Sequence, residues 1–204
     1  MTTEILPAAF PQAIPYALKI LRTGGLVAFA TDTVYGVGAL AFDGKAVESI
    51  YTAKDRPIEK AIPVLIGDME DLGLIAIDIP TLAEKLASRF WPGPLTILVP
   101  KKPSLPEMVS ATSTVGVRIP DHEIARALLR AAGPMAVTSA NVSGQESPRT
   151  AAEVLAQLGG RIELIIDGGK TPGGVPSTLV DCSGDEIRVL RKGPITEEEL
   201  RSAL

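Results

Sequence analysis

Apolar positions recur along this chain in two alternating periods, one helical and one extended. Residues 12 to 22 carry the helical spacing and stop at Gly24-Gly25. Leu26 to Ala30 is a short apolar run with the length and bounding of a buried strand. A second helical face follows, with Asp43 as its N-cap and Val47, Ile50 and Tyr51 on one side. It ends at Lys54-Asp55-Arg56-Pro57, because Pro57 disfavours helical geometry for Arg56. Beyond it the pattern predicts strands over Ala61 to Ile66, Leu95 to Val99, Val115 to Ile119, Met135 to Thr138, Leu164 to Ile166, Ser177 to Asp181 and Ile187 to Leu190.

Helices are predicted between these strands. Thr81-x-x-Glu84 reads as a capping box opening a helix to about Arg89, and Asp121 as the cap of another to about Ala132, with His122 in its first turn. Thr150-x-x-Glu153 and Thr196-x-x-Glu199 read as two more boxes, the last opening a short terminal helix. Phe90 to Pro94 is a turn with Trp91 as a hydrophobic wedge. Lys101 to Thr114 is polar, contains proline and lacks periodicity, so it is a long loop, either a binding lid or mobile surface. The alternation has no linker, repeat or low-complexity tract, which predicts one α/β (α+β) domain over residues 1–204. Some strands are joined too tightly for crossover helices, so the predicted sheet is mixed, with flanking helices.

Composition narrows the class. The chain has 204 residues, 46% of them hydrophobic, a globular balance. No apolar run approaches the roughly 20 residues of a membrane span, and the N-terminus lacks a basic region before an apolar one, so a cytoplasmic protein away from membranes is expected. The single Cys182 excludes an intrachain disulfide framework and reads as a small core residue. A net charge of -4 and a pI near 5.1 weigh against a protein built mainly to grip a phosphate backbone. A small nucleotide, in contrast, needs only a few well-placed cations.

Two nucleotide motifs fail on context. Gly36-Val37-Gly38-Ala39-Leu40-Ala41 matches a relaxed dinucleotide fingerprint, but Thr31 to Tyr35 separate it from the preceding strand and Phe42-Asp43-Gly44 restarts the chain as a turn. Gly169-Lys170-Thr171 resembles the end of a P-loop, yet its earlier glycine would fall at Leu164, inside a strand; the glycines from Gly168 to Gly174 read as a flexible turn. There is no Ser-His-Asp or Cys-His set, and the lone His122 has no partners at metal-ligand spacing, so no metal site is predicted. What remains is a set of cations, hydroxyls and one amide at element ends: Thr31, Thr33, Lys54, Arg56, Arg118, Ser139, Asn141, Arg149, Ser177 and Arg191. Arginines grip carboxylate or phosphate in bidentate fashion, and hydroxyls orient a ligand. A cation-rich site without base or nucleophile suits phosphoryl or nucleotidyl transfer. Each residue alone has a plainer role; Arg118, for instance, could pair with Glu123.

Seven stretches, TDTVYG, Lys54-x-Arg56 before Pro57, FWPGPLT, VGVRIPDH, TSANVSG, PSTLVD and VLRKGPI, span about Gly24 to Ile195. In this order they resemble the YrdC-like family, the threonylcarbamoyl-AMP synthases. The resemblance implies a twisted mixed sheet around a large concave, positively charged cavity. It also implies an L-threonylcarbamoyladenylate synthase, a nucleotidyltransferase. Such an enzyme joins L-threonine, bicarbonate or CO2, and ATP, releases pyrophosphate, and supplies a separate tRNA threonylcarbamoyl transferase complex. Carried over by position, it puts Thr31 or Thr33, Arg56, Arg118, Ser139 and Ser177 around threonine. Lys54, Arg56, Thr114, Asn141, Arg149 and Arg191 fall around ATP, with Lys54 and Arg56 as the catalytic pair. Mg2+ is expected to arrive with ATP, with Asp32 either reaching it through water or capping a turn. The competing reading is a module that binds double-stranded RNA or tRNA without forming an adenylate; weak binding of either also stays open beside the synthase. Many relatives read PLIVH after the Lys-x-Arg-Pro segment, whereas Gly67 stands here in place of the histidine. Longer relatives carry a further C-terminal domain, so the short form is expected.

Overall fold

The computed structural model describes residues 2–204. Its ten strands are β1 (Glu4–Pro7), β2 (Val27–Phe29), β3 (Gly36–Leu40), β4 (Val64–Leu65), β5 (Leu95–Pro100), β6 (Thr114–Arg118), β7 (Met135–Ser139), β8 (Leu164–Asp167), β9 (Thr178–Asp181) and β10 (Arg188–Arg191). The helices are α1 (Ala13–Arg22), α2 (Gly44–Lys54), α3 (Leu72–Ile75), α4 (Thr81–Phe90), α5 (Glu123–Ala132), α6 (Ala151–Leu158) and α7 (Glu197–Ser202). All ten strands join in one sheet, in the order β1-β8-β2-β3-β7-β4-β6-β5-β9-β10. Parallel pairs (β1/β8, β2/β8, β4/β6, β5/β9) occur beside antiparallel ones (β2/β3, β3/β7, β4/β7, β5/β6, β9/β10), giving the mixed sheet that the short connections imply.

Strand alternation divides the core between the two faces of this sheet. Ala28, Val64, Ile97, Val117, Ala136, Ile165 and Val180 face one side, where α2, α4 and α6 bring Val47, Leu86 and Val154. Val27, Phe29, Leu65, Met135, Val137, Leu164 and Ile166 face the other, covered by Ala17 and Leu21 of α1 and Leu128 and Leu129 of α5. That second cluster includes no residue of β5, β6, β9 or β10. Over those strands the same face presents Thr96, Gly116, Arg118 and Leu179 instead, so half of one sheet face lacks a helical cover.

Local signals hold at several ends. Asp43 caps α2 by accepting from Ala46 N at 3.0 Å, and Thr196 with Glu199 forms a full capping box on α7. Thr150 accepts from Glu153 N, but the Glu153 carboxylate accepts from Arg149 N rather than from the amide of its own cap. At α4 the box fails: Pro80 is the N-cap and Thr81 is already helical, so its hydroxyl is past the position from which a cap reaches the third amide. At α5 the cap is His122, one residue later than expected, whose Nδ1 accepts from Ala125 N, while the Asp121 amide donates to Asp32 Oδ1. The imidazole is held below its ordinary pKa by burial.

The strand expected over Ala61 to Ile66 shrinks to Val64–Leu65. Pro63 has no N–H, and the Ile62 amide turns to Val109 O. The Lys101–Thr114 loop is no mobile surface: Leu105 and Val109 are buried in the core, and Lys101 Nζ donates to Ser110 O at 2.6 Å. The glycine-rich turn is tied down as well. Tyr35 donates to Gly169 O at 2.7 Å, Thr171 N to Arg149 O, and Gly174 N to Thr33 O. β1 and the turn and helix over Met69–Ile75 lie outside the pattern read from the sequence, being too short to show a period. Cys182 is fully buried, and that burial pushes its thiol up to about 12.

Candidate active site

The uncovered half of the sheet is the floor of a cavity of about 270 Å³. Thr96, Leu179, Leu65, Pro63 and Val137 form its base, while Thr31, Thr33, Arg56, Arg118, Ser139, Ser177 and Arg191 stand around it. Gly116 keeps the base low, because a Cβ there would come within 3.0 Å of Thr96 Cγ2. The volume lies just under the range of roughly 300–1,000 Å³ usual for ligand pockets, which suits a ligand of amino-acid size in the enclosed part.

Element ends supply the polar groups. Arg118 is the last residue of β6 and alternates with the core-facing Val117. Its Nε donates to Gly93 O at 2.9 Å, Nη1 to Thr33 Oγ1 at 3.0 Å, and Nη2 to Asp32 Oδ1 at 2.5 Å. Its ionic partner is thus Asp32, not Glu123, and Asp32 Oδ1 also accepts from Asp121 N at 3.2 Å. Thr33 Oγ1 can donate on to Thr31 Oγ1, which also accepts from Thr33 N and donates to Val34 O. Thr31 is therefore saturated, and Thr33 keeps one lone pair. Ser139, at the end of β7, has a hydroxyl with no protein partner among the described residues.

Arg56 and Arg191 face the cavity from opposite sequence ends. Asp55 takes a left-handed φ of 50° at the end of α2 and turns the chain, after which Arg56 donates to Lys60 O and Ala61 O, each at 3.0 Å. A register shift between Val189 and Arg191 re-aims the end of β10. There Arg191 donates through Nε to Ser177 O at 3.0 Å and through Nη2 to Ser177 Oγ at 3.1 Å. Each guanidinium keeps Nη1 without a protein partner among the described residues. Burial lowers the pKa of all three arginines; Arg56 adds to the effect at Arg191, and Arg191 adds to it at Arg118, against the opposing pull of Asp32. Mutual repulsion of cations gathered around one hollow is relieved by an anion placed between them.

Four residues named from the sequence lie outside the cavity wall. Thr114 shares the face of Gly116 and Arg118 but sits at the far end of β6, in the hydroxyl cluster of Ser110 and Thr112. Asn141 donates to Val142 O and Gln145 O, leaving Oδ1 buried without a partner. Arg149 lies along the 171–174 turn, donating through Nη2 to Thr171 O, while its Nε is buried without a partner. Lys54, in the last turn of α2, is almost fully buried and donates to the carbonyls of Ser139 and Asn141. Burial, with Arg56 second, holds its amine down at about 7. Lys54 therefore braces the wall that carries Ser139.

Lys54→Met is expected to cost about 2–4 kcal/mol at pH 9, since two buried carbonyls lose their donor. Because the folded pKa of about 7 lies below the ordinary 10.5, protonation favours the unfolded chain. The advantage of wild type over the variant should shrink from pH 10 down to 7 and then stay level, as urea titrations at several pH values would read.

Thr96 was not singled out from the sequence. Its signal is a polar residue between Leu95 and Ile97, which places it on the face opposite the core. Gly67, in place of the histidine of many relatives, has a packing reason: a Cβ there would meet Arg130 Cγ at 2.9 Å. Helix α5 closes over that position.

The Sua5/YciO/YrdC family model, described as "Telomere recombination", matches residues 19–193. A threonylcarbamoyl-AMP synthase from Pyrococcus abyssi is 44% identical over 193 residues, covering 94% of this chain and 57% of the relative. One from Bacillus subtilis is 43% identical over 205 residues, covering 99% of this chain and 59% of the relative. The chain thus spans a little under three fifths of the length of these two. The crystal structure of P. abyssi Sua5 complexed with L-threonine superposes with a TM-score of 0.91 at 44% identity, covering 94% of this chain and 57% of that one. The matched span holds every group around the cavity, and by these likenesses the chain belongs to the Sua5/YciO/YrdC family.

Proposed function

We propose that this chain is a threonylcarbamoyl-AMP synthase, forming the mixed anhydride from L-threonine, CO2 or bicarbonate, and ATP. The observation that carries the reading is the convergence of Arg56, Arg118 and Arg191 with Ser139 and Ser177 around one hollow of amino-acid size. The threonine-bound P. abyssi relative supports the choice of amino acid. Threonine sits inside the cavity, its carboxylate and hydroxyl oxygens taken by Arg118, Ser139 and Ser177, and its hydroxyl proton by the remaining lone pair of Thr33. The triphosphate lies across Arg56 and Arg191, and the rest of the nucleotide extends past the enclosed volume towards Asn141, Arg149 and Thr114.

The chemistry then needs little beyond position and charge. The amine nitrogen bonds to CO2 and loses a proton, giving a carbamate. A carbamate oxygen bonds to the α-phosphorus as the bond to pyrophosphate breaks in line, and the free Nη1 groups of Arg56 and Arg191 meet the charge that leaves. Mg2+ carried with the nucleotide would supply further neutralisation of phosphate charge. Asp32 is committed through Oδ1 to Arg118 and Asp121, so it serves the arginine before any metal. Lys54 acts at one remove, holding the strand end of Ser139.

Purified protein supplied with ATP, L-threonine and bicarbonate should release pyrophosphate, and release should stop when threonine is withheld. Salt-sensitive RNA binding with no threonine-dependent release would point instead to a nucleic-acid module.

A further inference from the structure

Thr96 is a buried hydroxyl on the cavity floor whose partner among the described residues is Ser177, with the two oxygens 2.7 Å apart. Ser177 Oγ also accepts from Arg191 Nη2 at 3.1 Å. A serine hydroxyl accepts two hydrogen bonds and donates one. If Ser177 donates to Thr96, it has only a lone pair left to offer. If Thr96 donates, both acceptor positions of Ser177 are filled, by Thr96 and by Arg191, and its O–H must point elsewhere, which is into the cavity. A ligand oxygen waiting there selects the second arrangement, and every proton in the chain then has an acceptor.

We propose that Thr96 is a positioning residue that turns the Ser177 O–H towards an acceptor oxygen of the bound amino acid. This rests on the reading of the cavity as a threonine site. The Thr96 methyl helps fix the orientation, since its Cγ2 packs beside Gly116 and leaves Oγ1 towards Ser177. Valine reproduces that methyl and removes the hydroxyl, whereas serine does the reverse. The effect belongs to amino-acid binding and not to the nucleotide, because Ser177 keeps both of its bonds from Arg191 in the variant and only the direction of its O–H is released.

Calorimetric titration of the full chain with L-threonine, with pyrophosphate kinetics alongside, tests this. Thr96→Val should weaken L-threonine about fivefold, because Ser177 keeps its O–H but loses the neutral hydrogen bond that fixes its direction, and raise its KM while the KM for ATP holds. Thr96→Ser should restore affinity to within about twofold of wild type. In a cycle with Ser177→Ala, the second substitution should add little to the first, because both cut the same relay. Should Thr96→Val fold poorly, Thr96→Ala stands in with the same expected result. If wild type binds L-threonine and Thr96→Val binds it equally well, or if the two substitutions add in full, the relay is overturned alone. A wild-type protein that ignores L-threonine overturns the threonine reading, and the relay with it.

Discussion

Arg118→Ala is expected to lower stability by about 3–5 kcal/mol and to abolish amino-acid binding. The guanidinium and Asp32 are both nearly out of water, with side chains 6% and 12% exposed. Removing the cation strands a carboxylate that keeps only the Asp121 amide, and it also releases Thr33 and the Gly93 carbonyl. For a chain of this length the loss corresponds to a melting temperature lower by roughly 10 °C or more. Asp32→Asn should be milder, because an amide oxygen still accepts from Arg118 and from Asp121 N. Thermal and urea melts read both variants. A loss under about 1 kcal/mol for Arg118→Ala would mean that the pair behaves like a solvated surface bridge.

Arg56→Ala is expected to have the opposite profile, with turnover down by about 10²–10³ and the melt almost unmoved. Arg56 lies half-buried just after the end of α2, and its side-chain contacts are single bonds to the carbonyls of the exposed Lys60 and Ala61. Little of the fold depends on it. Its Nη1 and that of Arg191 are the donors left over for charge that builds on the departing pyrophosphate. Arg56→Lys should recover only part of the rate, since an ammonium cannot make the same paired contact. Steady-state rates of pyrophosphate release beside a melting curve separate this from a folding defect.

Much of the architecture was readable from local pattern. The Asp43 cap, the Thr196–Glu199 box and the tight strand connections are short-range features, and each survives in the fold. Neither nucleotide decoy opens a helix across its glycines: Gly36–Leu40 is strand β3, which the apolar pattern did not predict, and the residues after β8 run as an irregular turn. The misses lie where distant elements decide. Asp32 meets Arg118 across 86 residues of chain, and no spacing rule connects them. Lysine is rarely fully buried, yet two carbonyls at and just beyond the far end of β7 draw the Lys54 amine inward. The parity that aims Thr96 and Arg118 at one face is visible in the strands themselves. That α1 and α5 leave this stretch of the face uncovered depends on helix packing. A partial reading of the site therefore found the cations and missed the floor they stand on.

Convergence of Arg56, Arg118 and Arg191 around one two-substrate hollow is tested most directly by a crystal structure of the full chain with L-threonine and a non-hydrolysable ATP analogue. The expected result is threonine on the Thr96–Gly116–Leu179 floor, with its oxygens within hydrogen-bond reach of Arg118 and Ser177 and the triphosphate against Arg56 and Arg191. Ligand density seated away from that floor, or guanidiniums turned out to solvent with the cavity filled only by water, would contradict it.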